Sequence, residues 1–302
     1  MKGNTWKGIM LVAIGASSYG ILATFVKLAN NEGFTTAEVT FAQAFLGFII
    51  LAVMNLVTRS RRLPQARANT KDKLKLMLAG TSMGLTSIFY YLSVRYISVS
   101  VCIVLLMQAV WIGVLLESIL EKKLPSVQKV IAVLIVLAGT LLATDLLGSQ
   151  VVIHWAGVGF GLLAAVAYSV SIYASQHIAT ERSPLQRSLF LLCGATVIVA
   201  LVWGSALLQQ FNPAVLWKWG IILAVFGTVL PPLMFTKGMP ITGSGLGSII
   251  ASVEIPVSVL MAHFLLHEAV NAWQWTGIAL ILAAIVLMNL RFSAKRHKEG
   301  RL

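Results

Sequence analysis

Ten apolar stretches, each near twenty residues long, follow one another along the chain with only short links between them. Read with a window of about nineteen residues, they fall at 7–28, 37–57, 74–94, 98–120, 127–145, 154–176, 186–208, 216–235, 244–266 and 273–291. At about 1.5 Å per residue, a helix of that length crosses about 30 Å of hydrocarbon. Their length and the lack of period-2 alternation exclude membrane strands. The chain is 58% hydrophobic and 11% charged, against roughly 25% charged in a soluble domain. Too few charges remain to cover an aqueous surface, so the surrounding solvent is lipid. The expected fold is an all-α integral membrane protein of ten transmembrane helices.

The net charge of +13 invites a nucleic-acid reading, which the distribution of charge opposes. Lys and Arg sit in short clusters between apolar runs. With the N-terminus inside, 20 of the 23 fall on the inner side, leaving Lys27, Arg95 and Lys218 outside. That asymmetry predicts cytoplasmic N- and C-termini in the inner membrane of a cell. The basic stretch Thr58–Lys73 reads as an anchor beside anionic lipid headgroups. Cys102 and Cys193 each lie within an apolar run and lack metal-ligand spacing, so both read as small core residues. The first run is too long for a signal-peptide core and is expected to remain as the first helix.

The two halves of the chain resemble each other. At an offset of 146 residues, Gln108 lies over Glu254, Glu117 over His263 and Gln128 over Gln274. Nearer the start of each half, an offset of 149 sets Gly8 over Gly157 and Tyr19 over Tyr168. The division expected is 1–148 and 149–302. Five helices per half is an odd number, so the second half enters the membrane from the opposite side. Such an inverted repeat lets a transporter alternate access around a fixed midplane site.

The stretch Ser248–Pro256, followed by Leu265-Leu-His-Glu268 and Gln274-Trp-Thr-Gly277, resembles the last two helices of EamA-type transporters of the drug/metabolite transporter superfamily. Tyr91–Ser100, Glu121 and Gln128 form a weaker copy in the first half. The resemblance implies two tandem copies, a central cavity built mainly by the first four helices of each, and peripheral fifth and tenth helices. It also implies small solutes such as amino acids, their analogues, nucleosides or drugs as substrates, with export the commoner direction.

Several residues are candidates for the work. Glu254 sits near the middle of the ninth run, where a charged side chain costs about 2.5–3.5 kcal/mol and must face the bundle interior, pair or hold a proton. It is the candidate to bind a proton or a substrate amine. Pro256 cannot donate to the Ser252 carbonyl, which predicts an unpaired acceptor beside it. Gln108 and Trp111 offer an amide and an indole from the fourth helix, and Tyr19, Tyr168, Tyr90 and Tyr91 offer phenols suited to amphipathic solutes. Glu117 and His263 read as interfacial or inter-helix residues, and Lys27 as a snorkelling cation or a partner of Glu32 or Glu38. Pro231, Pro232, Pro256 and Gly243 mark a hinge or gate, together with Pro240, Gly245 and Gly247, since irregular backbone at membrane depth is tolerated only where buried or lining a cavity.

No nucleophile triad, metal cluster, cofactor motif or ATP-binding loop is evident, and the five histidines are scattered. The expectation is therefore a secondary transporter rather than an enzyme. Its expected partners are a small-molecule substrate and membrane lipid, with protons a candidate coupling ion and a homodimer left open. A non-transporting receptor or scaffold is the alternative, with an intramembrane enzyme behind it.

Overall fold

The computed structural model describes residues 2–59, 70–145, 154–267 and 269–299. All regular elements among the described residues are helical. In chain order they are α1 (Lys2–Asn31), α2 (Thr36–Arg59), α3 (Thr70–Val94), α4 (Val99–Glu121), α5 (Val127–Ala143), α6 (Trp155–His177), α7 (Pro184–Gln209), α8 (Leu216–Thr242), α9 (Ser244–Leu266) and α10 (Ala272–Glu299). Seven of these, α1, α2, α4 and α6 to α9, are long and apolar enough to cross a membrane. Two shorter apolar helices are α5 and the Ala272–Met288 part of α10. In α3 the first turns carry Lys71, Asp72, Lys73 and Lys75 before the apolar stretch begins. Most of the basic anchor, residues 60–69, and the expected start of the second half at residue 149 lie outside the described residues.

Helix starts follow the local sequence. Glu38 N donates to Thr35 Oγ1 (3.3 Å), and Thr35 N donates back to Glu38 Oε2 (2.7 Å), a reciprocal capping box at the start of α2. Gln186 N donates to Ser183 Oγ (3.4 Å), with Pro184 in the first turn of α7. Ser126 caps α5 through Lys129 N (3.4 Å), and Asn271 exchanges two bonds with Gln274 before α10.

Helices α4 and α9 are interrupted alike. Each runs for 8 residues, breaks for two and continues for 13, ending on a left-handed residue, Lys122 in one and His267 in the other. At the breaks the backbone tightens to i→i+3 bonds: Gln108 N to Leu105 O and Val110 N to Met107 O in α4, Val253 N to Ile250 O and Ile255 N to Ser252 O in α9. These bonds superimpose at an offset of 145 residues (Val99 to Ser244, Glu121 to Leu266) rather than 146. One residue is about 100° around a helix, so the pairing of Gln108 with Glu254 is corrected: Gln108 matches Val253, and Glu254 matches Ala109. The Ser252 carbonyl, expected to be unpaired, accepts from Ile255 N (3.1 Å). Because α4 breaks at the same place without a proline, Pro256 is not required for the interruption.

α8 departs from a plain helix in two π-helical turns, Leu216–Gly220 and Val225–Val229, and the second leads directly into Pro231 and Pro232. It continues through Pro240 to Thr242, seven residues past the end expected at 235. Gly243, with φ of 85°, makes the corner into α9. Gly245 and Gly247 lie within regular helix, so the weakened backbone is at Gly243 alone of these three.

The two halves are interlaced. α3 packs on α6 and α7, α8 on α1 and α2, α2 on α7, α4 on α9, and α5 on α10. The main apolar core draws Val12 from α1, Val110 from α4, Val136 from α5, Tyr168 from α6, Ile249 from α9 and Ile281 from α10. At the α3–α7 crossing, a Cβ on Gly80 would collide with the Leu191 carbonyl and one on Gly194 with the Met77 carbonyl. Backbones meet there directly, as small residues allow in lipid. Gly80→Ala is expected to destabilise by about 1–3 kcal/mol through overpacking, read as a lower unfolding midpoint in detergent. Gly159, with open space around its Cβ position, is the control expected to tolerate alanine.

Arg187, in the first turn of α7, is 1% exposed. Its guanidinium donates to Ser175 O (2.7 Å) and Ile178 O (2.9 Å) at the end of α6 and to Thr236 O (2.6 Å) in α8. The first two are among the carbonyls a helix end leaves without intrahelical donors. The third would have bonded residue 240, which is proline and has no N–H.

Candidate functional site

A cavity of about 530 Å³ enters the bundle from one end and stops near its middle. Its walls come from the C-terminal halves of α1 and α3, the N-terminal halves of α2 and α4, and the second segment of α9 (Glu254–Leu266). α6, α7 and α8 complete it deeper down. It opens where α1 ends, the end opposite the chain's N-terminus. At the other end the bundle is sealed: all eight residues of the first α9 segment, Ser244–Ala251, are buried.

Met107, Tyr19, Tyr168 and Glu254 meet at the inner end of the cavity. The Tyr19 and Tyr168 rings stand edge to face with centroids 6.2 Å apart, and Phe235 packs behind Tyr19 at 6.0 Å. Tyr168 Oη points to Glu254 Oε2 at 3.5 Å, beyond the usual range for O–H···O. Glu254 is half-buried, on the cavity wall just past the α9 break. Gly20 of α1 passes so close that a Cβ there would sit 2.5 Å from the Glu254 carbonyl oxygen. Higher up, Tyr90 and Tyr91 both line the wall, with ring centroids 5.8 Å apart.

The other candidates lie elsewhere. Gln108 and Trp111 are not among the lining residues. Gln108 donates from Nε2 to Val104 O (3.0 Å) and accepts from Trp111 Nε1 (2.8 Å), while Trp111 is 40% exposed on the bundle's outer surface. Met107 lines the wall in their place, one residue earlier in the α4 break. Pro231, Pro232 and Pro256 are buried behind the wall, and Gly243 is at the sealed end.

Lys27, expected from the sequence to snorkel or to pair with Glu32 or Glu38, lines the cavity. Two acids near it in the chain make contacts of their own at this end of the bundle. Glu38 accepts from Thr35 N, Thr35 Oγ1 and Asn212 N (2.6–2.8 Å), and Glu32 pairs with Lys218 (3.5 Å) and Trp219 Nε1 (3.1 Å). Lys27 and Glu254 are the only Lys, Arg, Asp or Glu among the described lining residues. Lys27 lies seven residues beyond Gly20, about 10 Å along the axis. Between the two charges the wall is dotted with hydroxyls and amides, among them Thr24, Thr40, Gln43, Thr228 and Ser258. Sequence reading missed these because single hydroxyls within apolar runs satisfy themselves on i−4 carbonyls as readily as they line a site; Thr228 does so at Ala224 O (3.0 Å).

Comparison with known proteins agrees with this architecture. A curated relative from Archaeoglobus fulgidus, described as an uncharacterized transporter, is 26% identical over 284 residues, covering 93% of this chain and 95% of its own. A solved crystal structure aligns with a TM-score of 0.77 over 95% of this chain and 98% of that one, at 14% identity, a likeness of fold. The EamA-like transporter family profile matches twice, at residues 6–144 and 155–290. The chain therefore belongs to the EamA-like transporter family, within the drug/metabolite transporter superfamily.

Proposed function

We propose that this membrane transporter is a secondary carrier that moves a small metabolite by alternating access, with its solute held at the inner end of the cavity beside Glu254. The observation that carries the reading is a largely apolar cavity with polar groups set into its wall, open at one end and sealed at the other, whose inner end lies where α1, α4, α6 and α9 meet. A channel would need a path to both ends, and a receptor has no need of a seal at mid-bundle.

This mechanism calls for ten membrane-crossing helices in two inverted copies. The helix contacts support the copies, since α3 on α6 has its counterpart in α8 on α1, and α4 on α6 in α9 on α1. The doubled family match and the breaks in α4 and α9 support them too. With both termini cytoplasmic, as the charge asymmetry predicts, the cavity faces outward and export ends in the state described here.

Glu254 offers its carboxylate to an amine or takes up a proton. The long Tyr168 contact holds it weakly, which favours a ligand over a structural tie between helices. An amino acid or a similarly small amine-bearing metabolite fits this carboxyl and the cavity volume.

The test is uptake and efflux in proteoliposomes with pooled radiolabelled amino acids and nucleosides, with and without a pH gradient. Flux of one pool, accelerated by the gradient, supports transport coupled to protons. Flux indifferent to the gradient supports exchange or facilitated diffusion. Saturable binding without flux would overturn the carrier reading in favour of a receptor.

A further inference from the structure

We infer that the Glu117–Lys129 ion pair is a latch that holds the sealed end of the bundle shut, and that breaking it shifts the protein toward a state open at that end. This rests on the alternating-access reading above. Glu117 projects from the end of α4 and Lys129 from the start of α5, and the two pair directly. Their side chains are only 11% and 17% exposed.

The pair does more than join two neighbouring helices, because the carboxylate is wedged against the N-terminus of α9. A Cβ on Gly243 would come within 2.9 Å of Glu117 Oε1, and one on Gly245 would collide with Oε2 and lie 3.1 Å from Lys129 Nζ. Glycines at both positions let the carboxylate reach the end of the helix where free backbone N–H groups and the positive end of the dipole lie.

The element gripped there is built to move as a unit. The segment Ser244–Ala251 has a positive-φ glycine corner at one end and the Ser252–Val253 break at the other. It plugs the bundle against α4, where a Cβ on Gly113 would collide with Ser248 Oγ. Beyond its second hinge lies Glu254, in the cavity. The plug is also imperfectly satisfied, since the buried Ser244 Oγ has no hydrogen-bond partner. An unmet buried hydroxyl works against the closed seam, and the ion pair works for it.

The matching positions at the open end differ. The matching segment of the other half, Val99–Leu106, buries only Val101 and Cys102, and Ser100 lines the cavity. At the 145-residue offset of the two broken helices, Glu117 corresponds to Ala262 and Lys129 to Gln274. Two halves of similar shape thus differ at these positions, with Glu117 and Lys129 at the sealed end and Ala262 and Gln274 at the open one.

Two engineered thiols test the latch, each in a background with Cys102→Ala and Cys193→Ala. Ser248→Cys reports the sealed seam, and Ser258→Cys reports the open cavity. Each is titrated with a membrane-impermeant maleimide from its own side of the vesicle. Glu117→Gln and Lys129→Met are each expected to raise the Ser248→Cys labelling rate and lower that of Ser258→Cys. The change should be about fivefold or more, the lower range for coupled two-state elements. Reciprocity is the signature, because a loosened or misfolded protein labels faster at both thiols. A rise at both, a rise at Ser248→Cys alone, or no change at either overturns the latch. Labelling needs no substrate, so a failed search for flux would count against the carrier reading and leave a reciprocal result standing. Flux with no reciprocal change would overturn the latch and leave transport intact.

Discussion

Glu254→Gln is expected to reduce flux by about tenfold to a hundredfold, the span of a charge-assisted hydrogen bond of about 1.5–3 kcal/mol, while the unfolding midpoint changes little. Both parts follow from geometry. The carboxyl is on the cavity wall at the meeting of α1, α6 and α9, where a bound amine or proton would contact it. Its interaction with Tyr168 at 3.5 Å contributes little to holding the helices together. Glutamine keeps the volume and the acceptor oxygen but removes the charge and the site for a proton. Tyr168→Phe is expected to have a smaller effect on flux, since the phenol adjusts the carboxyl rather than replacing it. Full flux in a folded Glu254→Gln protein would remove this residue from the site. Loss of flux together with a collapse of the unfolding midpoint would assign it a structural role instead.

Arg187→Met is expected to give the largest loss of stability of any single side-chain truncation considered. Three buried carbonyls, those of Ser175, Ile178 and Thr236, lose their donors at once. Each unmet buried acceptor costs about 1–3 kcal/mol. Even with partial rescue by water the sum is about 3 kcal/mol or more, lowering Tm in detergent by about 5 °C or more. Arg187→Lys should recover only part of this, since an ammonium has three donors but lacks the planar fork that spans α6 and α8. Pro240→Ala restores the N–H that Thr236 O lacks, so in the Arg187→Met background it should return a fraction of the lost stability. A Tm for Arg187→Met equal to that of the parent would show that these carbonyls find other donors.

Much of this was legible beforehand, for identifiable reasons. Helix positions followed from runs of apolar residues, and cap residues such as Thr35 and Ser183 marked their starts. Glu254, Tyr19, Tyr168, Tyr90 and Tyr91 could be placed inside because polar groups at membrane depth have few other places to be. What depended on azimuth was not legible. A repeat aligned at 146 rather than 145 turned Gln108 by about 100°, and with it Trp111, onto the wrong face. The breaks in α4 and α9 left no mark of their own, because Met107-Gln108 and Ser252-Val253 contain no glycine or proline. Arg187 and Pro240 were both visible, but 53 positions separate them, and only the fold brings the missing donor to the orphaned acceptor.

The interlacing of the halves has a consequence for how the protein is made. When the ribosome has released the first five helices, the principal partners of each are still to come: α1 awaits α8 and α9, α2 awaits α7, α3 awaits α6 and α7, and α5 awaits α10. Contacts within the first half are sparse. The early product is therefore a set of inserted helices without a common core, with the glycine face of α3 around Gly80 and the guest position for Arg187 still unfilled. Assembly must be late and concerted, and a chain truncated after α9 would leave α5 without its partner. Quality control in the membrane would meet that species as unfinished, although all of its helices but the last had already been inserted.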